Sequence, residues 1–321
     1  MSEPLIRRLG PQDAEAIVLG FAEVYGYSYA NEIFNDPIRL SSALASGTVC
    51  SVGAMDGENQ LIAHMAMTHR VDAIHVELGN TIVTPQARGT GLAWKVGDAL
   101  TSWAAELGYS GYLHYPTTDH KIMQRQSVLA GHETGLMLSY IPNETNAKGR
   151  EILQPLRGAT TIVYEALTKQ SSTLKLFLPE RYDELIRDLA APTNLSRRWE
   201  RQLSNLPPES DAQIELFKKR SLARLTVKKV GQNLGAHVSA LICQAVACHQ
   251  VDFFMSDSGI GQGVELSRAN GAIFCGWLPG LQTADILRMQ WIDLQSANLE
   301  LALANPVAQR IFTMIQKELE R

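Results

Sequence analysis

Ile82-Val-Thr-Pro-Gln-Ala-Arg-Gly-Thr-Gly-Leu92 decides how this chain is read. An apolar run ends at Val83 and a loop with two glycines follows. An amphipathic segment then begins at once, with Leu92, Val96, Leu100 and Trp103 at helical spacing. Strand, loop and helix in that order aim several backbone N–H groups, and the positive end of the helix dipole, at one spot. Glycine lets the chain approach a ligand with no Cβ in the way. Such a nest suits a pyrophosphate. Two other phosphate loops fail. A Walker loop needs Gly-Lys-Ser/Thr, and here Gly91 is followed by Leu92-Ala93. A dinucleotide fingerprint needs a third glycine, and Trp94 stands in its place.

Upstream, Leu5–Leu9 reads as a strand. Pro11 and Asp13 open a helix that runs to about Val24. A second helix is expected over 37–45. Thr48–Met55, Leu61–Thr68 and Ile74–Val83 form a meander, with Asp56-Gly57-Glu58-Asn59 as its first turn. Downstream, Gly108 stops the helix as a C-cap. Strand Gly111–Tyr115, helix His120–Ala130 and strands Gly135–Tyr140 and Thr160–Ala166 follow. A meander that feeds a βα unit is an α+β (mixed α/β) arrangement.

Gln86-Ala-Arg-Gly89-Thr-Gly91 matches the pattern Q/R-x-x-G-x-G/A, with Val83-x-Pro85 on the strand before it. On these residues and this element order, Leu5 to Ala166 resembles the GNAT superfamily of N-acetyltransferases. The resemblance implies a central, mostly antiparallel sheet flanked by helices. It also implies transfer of an acetyl group from acetyl-CoA, or another acyl-CoA, to a primary amine. Carried over, the pyrophosphate cradle is Arg88, Gly89, Thr90, Gly91, Leu92 and Ala93, mostly through backbone. Ile82 and Val83 would pair with the pantetheine arm. Glu77 stands where the histone-acetyltransferase branch keeps its base. In the family helix that supplies a tyrosine acid, this chain has Ser127 at the tyrosine position and His120 at the asparagine position. The tyrosine's role then falls to Ser127, as a hydrogen-bonding hydroxyl, or to His120, as a proton donor beside Tyr115, Thr117 or Thr118. Tyr25–Tyr29 reads either as a wall of the acceptor pocket or as a packed loop.

At 321 residues the chain is long for one domain and comfortable for two. We expect a catalytic domain over 1–170 and a degenerate repeat of it over 171–321, with the boundary at Lys169–Thr173. Strand Val251–Met255 and a helix ending Ser267-Arg-Ala-Asn-Gly271 echo Gly111–Tyr115 and Ser127-Val-Leu-Ala-Gly131. The loop Val230-Gly-Gln-Asn-Leu-Gly235 lacks the proline and the paired glycines, so no CoA is expected there. A charged helical region is expected to about Leu206, and a final helix over Ala297–Glu320 that could carry dimerisation.

The net charge of −4 argues against a broad grip on nucleic acid. The basic clusters Arg197–Arg201 and Lys218–Arg220 read as solvated helix faces. Cys50, Cys243, Cys248 and Cys275 read as buried free thiols of a reducing, cytoplasmic setting. No metal-ligand spacing and no membrane span are visible, and Met1–Gly10 is unlike a secretory signal. The expected partners are a small-molecule amine and, in a homodimer, a second copy. The rival reading is a non-catalytic acyl-CoA sensor, which the missing tyrosine favours.

Overall fold

The computed structural model describes residues 3–69, 73–119, 121–129, 131–142, 156–168, 173–200, 205–280 and 283–320. The first half runs β1 (Leu5–Leu9), α1 (Ala14–Tyr25), α2 (Pro37–Ala45), β2 (Val49–Met55), β3 (Leu61–Thr68), β4 (Val76–Val83), α3 (Leu92–Glu106), β5 (Gly111–His114), α4 (Ile122–Ser127), β6 (His132–Ile141) and β7 (Gly158–Ala166). The second half runs β8 (Leu174–Phe177), α5 (Asp183–Ala190), β9 (Arg197–Glu200), β10 (Asp211–Phe217), β11 (Leu222–Lys229), α6 (Leu234–Ile242), β12 (Cys248–Phe254), α7 (Ile260–Ala269), β13 (Ile273–Leu278), β14 (Ile286–Ile292) and α8 (Pro306–Leu319).

Twelve of these strands form one sheet, in the order β1-β2-β3-β4-β5-β7-β6-β13-β14-β12-β11-β10. Within this sheet, among the described residues, only β4 with β5 and β11 with β12 pair in parallel. A mixed α/β architecture on a large, mostly antiparallel sheet is therefore the fold. The sheet of the first half carries helices on both faces. α1 and α2 bury Ile17, Phe21 and Leu40 on one side. α3 buries Leu92, Val96, Leu100 and Ala104 on the other, at the expected period. Gly108 ends that turn with φ +88°, where a side chain would strain the backbone.

The same pairings recur in the second half. β10, β11, β12, β14 and β13 repeat the order and directions of β3, β4, β5, β7 and β6. The two sets meet at β6 and β13, where Gly135 faces Gly276. A Cβ on Gly135 would lie 2.6 Å from the Gly276 Cα, so these strands approach closely because neither has a side chain there.

Three expectations for the second half change. The region before Leu206 is not helical throughout. β9 forms there, parallel to β8, because Arg197 is drawn into a buried bidentate pair with Asp285 at 2.7 and 2.9 Å. β10 forms where no strand is expected, as an antiparallel edge to β11. The final helix starts only at Pro306. Residues 297–304 spend their backbone groups on the first half instead: Asn298 N donates to Arg157 O at 2.9 Å and Ala302 N to Thr118 O at 2.8 Å. Gln124 clamps the same segment, donating to Ala302 O and accepting from Ala304 N. Glu133 of β6 accepts from Ala308 N in the first turn of α8, at 2.9 Å. The expected boundary, Lys169–Thr173, falls almost wholly outside the described residues. Cys50, Cys248 and Cys275 are buried free thiols, but Cys243 is exposed because it lies at the solvent end of α6.

Among the described residues, no helix is long and apolar enough to cross a membrane. No group of three or more His, Cys, Asp or Glu is arranged to hold a metal ion among them.

Candidate functional site

The parallel pairing of β4 and β5 is brief. It holds Val76 to Tyr112, Glu77 to Leu113 and Leu78 to His114, and then the strands part. Beyond Leu78, the β5-side edge of β4 lines a cavity of about 1320 Å³. That exceeds the roughly 300–1,000 Å³ usual for a small-ligand pocket. A shift in the β3–β4 register between His64 and Ala66 accompanies this change, with Asn80 at φ +52°. The Asn80 side chain accepts from Tyr29 Oη at 3.2 Å and Asn31 Nδ2 at 3.1 Å, tying the α1–α2 connection to the strand.

Ile82 and Val83 lie on the cavity wall, followed by Arg88, Gly89, Gly91, Leu92 and Ala93. Gly89 and Gly91 have φ +80° and +78°, and a Cβ on either would point into open space. At the start of α3, Trp94 N and Lys95 N donate to Gly91 O at 3.1 and 3.3 Å, while the N–H groups of Leu92 and Ala93 precede any carbonyl the helix could offer them. Thr90, also expected in the cradle, turns its hydroxyl to Ala87 O at 2.6 Å and is not among the residues on the cavity wall. The residues present therefore fit an anionic group held by main-chain N–H.

Glu77 lines the same cavity, half-buried, one pair before the strands part. Tyr25 and Tyr29 pack on Phe21 and each other, with ring centroids 4.7 Å (Phe21–Tyr29) and 4.9 Å (Tyr25–Tyr29) apart, and they also line the cavity. Ser127 reaches the cavity, but its hydroxyl donates to Met123 O at 2.7 Å. Its proton is thus committed to the helix, as serine often does four residues on. Thr118 is committed too, donating to Ala159 O at 3.1 Å. His120 lies outside the described residues.

His114, at the end of β5, is a neighbour that sequence reasoning passed over in favour of His120. Its Nδ1 lies 3.4 Å from Ser127 Oγ, and among the described residues its buried Nε2 has no hydrogen-bond partner. Burial pushes His114 down to about 4, so the ring is neutral at pH 7. His64 of β3, beside Asn80 of β4, is pushed down to about 4 by burial as well, against the opposing bond to Asn80 O. Unfolding returns both rings toward about 6.5. The unfolded chain then binds more protons between about pH 6.5 and 4. Stability is complete above that window and falls as pH drops through it, by up to about 1.4 kcal/mol per pH unit per histidine. Thermal melts between pH 7.5 and 4.5 read this slope. A His64→Gln/His114→Gln protein should show a shallower fall, and an unchanged slope would assign the effect elsewhere.

The second half also reaches this cavity. The turn between β10 and β11 brings Phe217, Lys218, Lys219 and Arg220 to the wall, and Arg224 follows from β11. Lys218 and Lys219 are exposed on a short 3-10 helix, as expected of a solvated face, and Arg220 departs from that expectation. Arg220 is half-buried, donates to the Tyr140 hydroxyl and lies over that ring, 5.0 Å from its centroid. Lys219 pairs with Glu32 at 3.7 Å. The nest of the second half is different. Val230 N donates to Asp257 Oδ2 at 2.8 Å, Gly231 N to Ser210 Oγ at 2.9 Å and Gln232 N to Pro207 O at 2.9 Å. The chain itself fills that position: a Cβ on Gly231 would sit 2.2 Å from the Glu209 carbonyl carbon.

No protein-family model matches the sequence, and no curated protein matches it either. Solved structures similar to this chain are GNAT superfamily N-acetyltransferases, over about half of its length. A phosphinothricin acetyltransferase from Sinorhizobium meliloti, in complex with acetyl-CoA, is 17% identical, covers 53% of this chain and 91% of its own, and has a TM-score of 0.40. A GNAT family N-acetyltransferase from Escherichia coli in complex with CoA is 18% identical over 52% of this chain and 83% of its own, with a TM-score of 0.35. A spermidine N-acetyltransferase from Vibrio cholerae is 14% identical over 53% and 96%, with a TM-score of 0.41.

Proposed function

We propose that this chain is an acyl-CoA-dependent N-acetyltransferase that acts on a small amine. The observation that carries the reading is one cavity with a peptide nest at one end and Glu77 at the other, joined by an unpaired strand edge. The Arg88–Ala93 cradle takes the pyrophosphate of acetyl-CoA. The free edge of β4 near Ile82 and Val83 offers main-chain groups to the pantetheine amides, as an exposed strand does for an extended chain. Glu77 removes a proton from the acceptor ammonium, directly or through a water. The amine nitrogen then attacks the thioester carbonyl, the carbon–sulfur bond breaks, and the thiol leaves with a proton.

The source of that last proton differs from the pattern the resemblance implies. Ser127 has no tyrosine ring and its hydroxyl is engaged at Met123 O. Other hydroxyls on the cavity wall near the end of β5 include those of Tyr115, Thr117, Tyr140 and Thr160. The engaged Ser127 also favours a second reading, a non-catalytic acyl-CoA sensor. Residues 171–321 form a degenerate repeat of the first half in this proposal. The recurring strand pairings support that, and the filled Val230–Gln232 nest supports a lobe that binds no CoA of its own.

Calorimetric titration with acetyl-CoA, beside a CoA-release assay over amines and amino acids, tests the proposal. Binding with turnover is expected. Binding without turnover on any acceptor selects the sensor, and no binding removes both readings.

A further inference from the structure

Arginines cluster where the second half reaches the cavity. Arg220 lines it, and Arg224 stands beside it with its side chain 7% exposed. Just behind lie Arg157, whose Nη2 donates to Arg220 O at 2.5 Å, and Arg288. Near these four stand Asp252 and, among the acids on the wall, Glu32, Glu77 and Glu300. Asp252 is already gripped at both oxygens by Arg288, at 2.6 and 2.7 Å. Arg224 points its Nε and Nη2 at Gln250 Oε1, and the buried Nε2 of that glutamine has no partner. Among the described residues no carboxylate lies within 4.0 Å of the Arg220 guanidinium, and its one side-chain hydrogen bond is to the Tyr140 phenol. The other acid close by on the α1–α2 connection, Glu32, is held by Arg39 at 3.0 Å and by Lys219.

Water-poor surroundings make unmatched charge costly, so half-buried cations are normally paired. A guanidinium that presents its fork to a cavity, with no carboxylate of its own, is a ready partner for one that arrives on a ligand. Glu77 is close enough to act on the charge of Arg220, after Tyr140 and the cost of burial. The cavity thus shows an acid and a base to one bound molecule, between the rings of Tyr29, Tyr115 and Tyr140.

We propose that the acceptor amine carries a carboxylate, which Arg220 of the second half binds while Glu77 receives the amine. This rests on the acetyltransferase reading and deepens it to amino acids as the substrate class. It also gives the second half a task in that reading: it completes the acceptor pocket.

The test compares kcat/KM for amino acids and their decarboxylated partners: lysine with cadaverine, ornithine with putrescine, phenylalanine with phenethylamine, 4-aminobutyrate with propylamine. At least one acid should exceed its partner by roughly 100-fold. Arg220→Gln should erase most of that ratio by raising KM for the acid. Arg220→Lys should restore part of it, and both variants should bind acetyl-CoA as the unaltered protein does. Equal or better use of the decarboxylated amine in every pair would overturn the proposal, as would an unchanged KM in Arg220→Gln. A preference for O-phosphoethanolamine over β-alanine would overturn the choice of carboxylate. If no amine turns over, titration of N-acetylphenylalanine and N-acetyllysine into the CoA-loaded protein decides: Arg220-dependent binding upholds the proposal and no binding ends it. Failure of the unaltered protein to bind acetyl-CoA is a separate result, which removes the acetyltransferase reading itself.

Discussion

Replacing Glu77 by glutamine should lower kcat for amine acetylation about 100- to 1,000-fold, with acetyl-CoA binding unchanged. Glu77 sits on β4 between Thr68 of β3 and Leu113 of β5, so its backbone is fixed from both sides. Glutamine has the same shape and can keep the neutral contacts of the carboxyl group, but it cannot accept a proton. The loss is therefore chemical and not a loss of packing. The cradle, beyond Val83, belongs to a different stretch of chain and should not register the change. A further signature separates a base from a mere anchor. Aliphatic amines deprotonate on their own near pH 10. The deficit of Glu77→Gln should shrink as the pH approaches that value. If Glu77 only anchors the ammonium, KM rises and kcat does not fall. If its role is structural, the melting temperature falls in step with activity. A fully active Glu77→Gln protein would remove Glu77 from the mechanism.

The parts of the site that sequence patterns expose are those with a local cause. The glycines at 89 and 91 stand where backbone and helix start must converge, and both have the positive φ that favours glycine. The face of α3 is a period, and periods survive folding: Leu92, Val96 and Leu100 are all buried. Glu77 and Ser127 are implied by the family resemblance, and both lie on the cavity wall. Arg220 has no such local cause. Lys218-Lys-Arg220 reads as solvent-facing charge, and only the approach of the β10–β11 turn to Tyr140 gives Arg220 its place. His114 was obscured in a similar way, because its importance depends on meeting Ser127 across 13 residues of chain. Residues 297–304 carry a helical pattern, yet their hydrogen bonds go to Thr118 and Arg157 of the first half. Tertiary partners outbid a weak local preference there. Arg197 is the same case in β9: a basic run looks exposed until Asp285 is known to lie beneath it.

The same logic of buried charge predicts the largest loss of stability. Asp252→Asn should cost about 3–5 kcal/mol of folding free energy, read as a lower urea midpoint at an unchanged m-value. Asp252 is 5% exposed and Arg288 is 2% exposed, and the pair is bidentate. Arg224 Nε lies 3.8 Å from the same carboxylate. An asparagine keeps one acceptor oxygen but removes the charge that balances Arg288. Neither arginine can escape by deprotonating, so the imbalance appears as instability and not as a shifted titration. Burial of Cys248 nearby pushes its thiol up to about 12, so a thiolate cannot take over as the anion near neutral pH. Replacing both partners by apolar residues, Asp252→Leu with Arg288→Met, should recover part of the loss, because the charge of Arg288 then goes with that of its bidentate partner and only Arg224 keeps an unbalanced charge. A double variant as unstable as Asp252→Asn would mean that Arg224 also depends on Asp252. That result would bear on function, because β12 and β14 brace β11, which carries Arg224 and begins two residues after Arg220. A carboxylate-bearing acceptor should then raise the melting temperature of Asp252→Asn more than that of the unaltered protein, by supplying to the arginine cluster the negative charge the variant lacks.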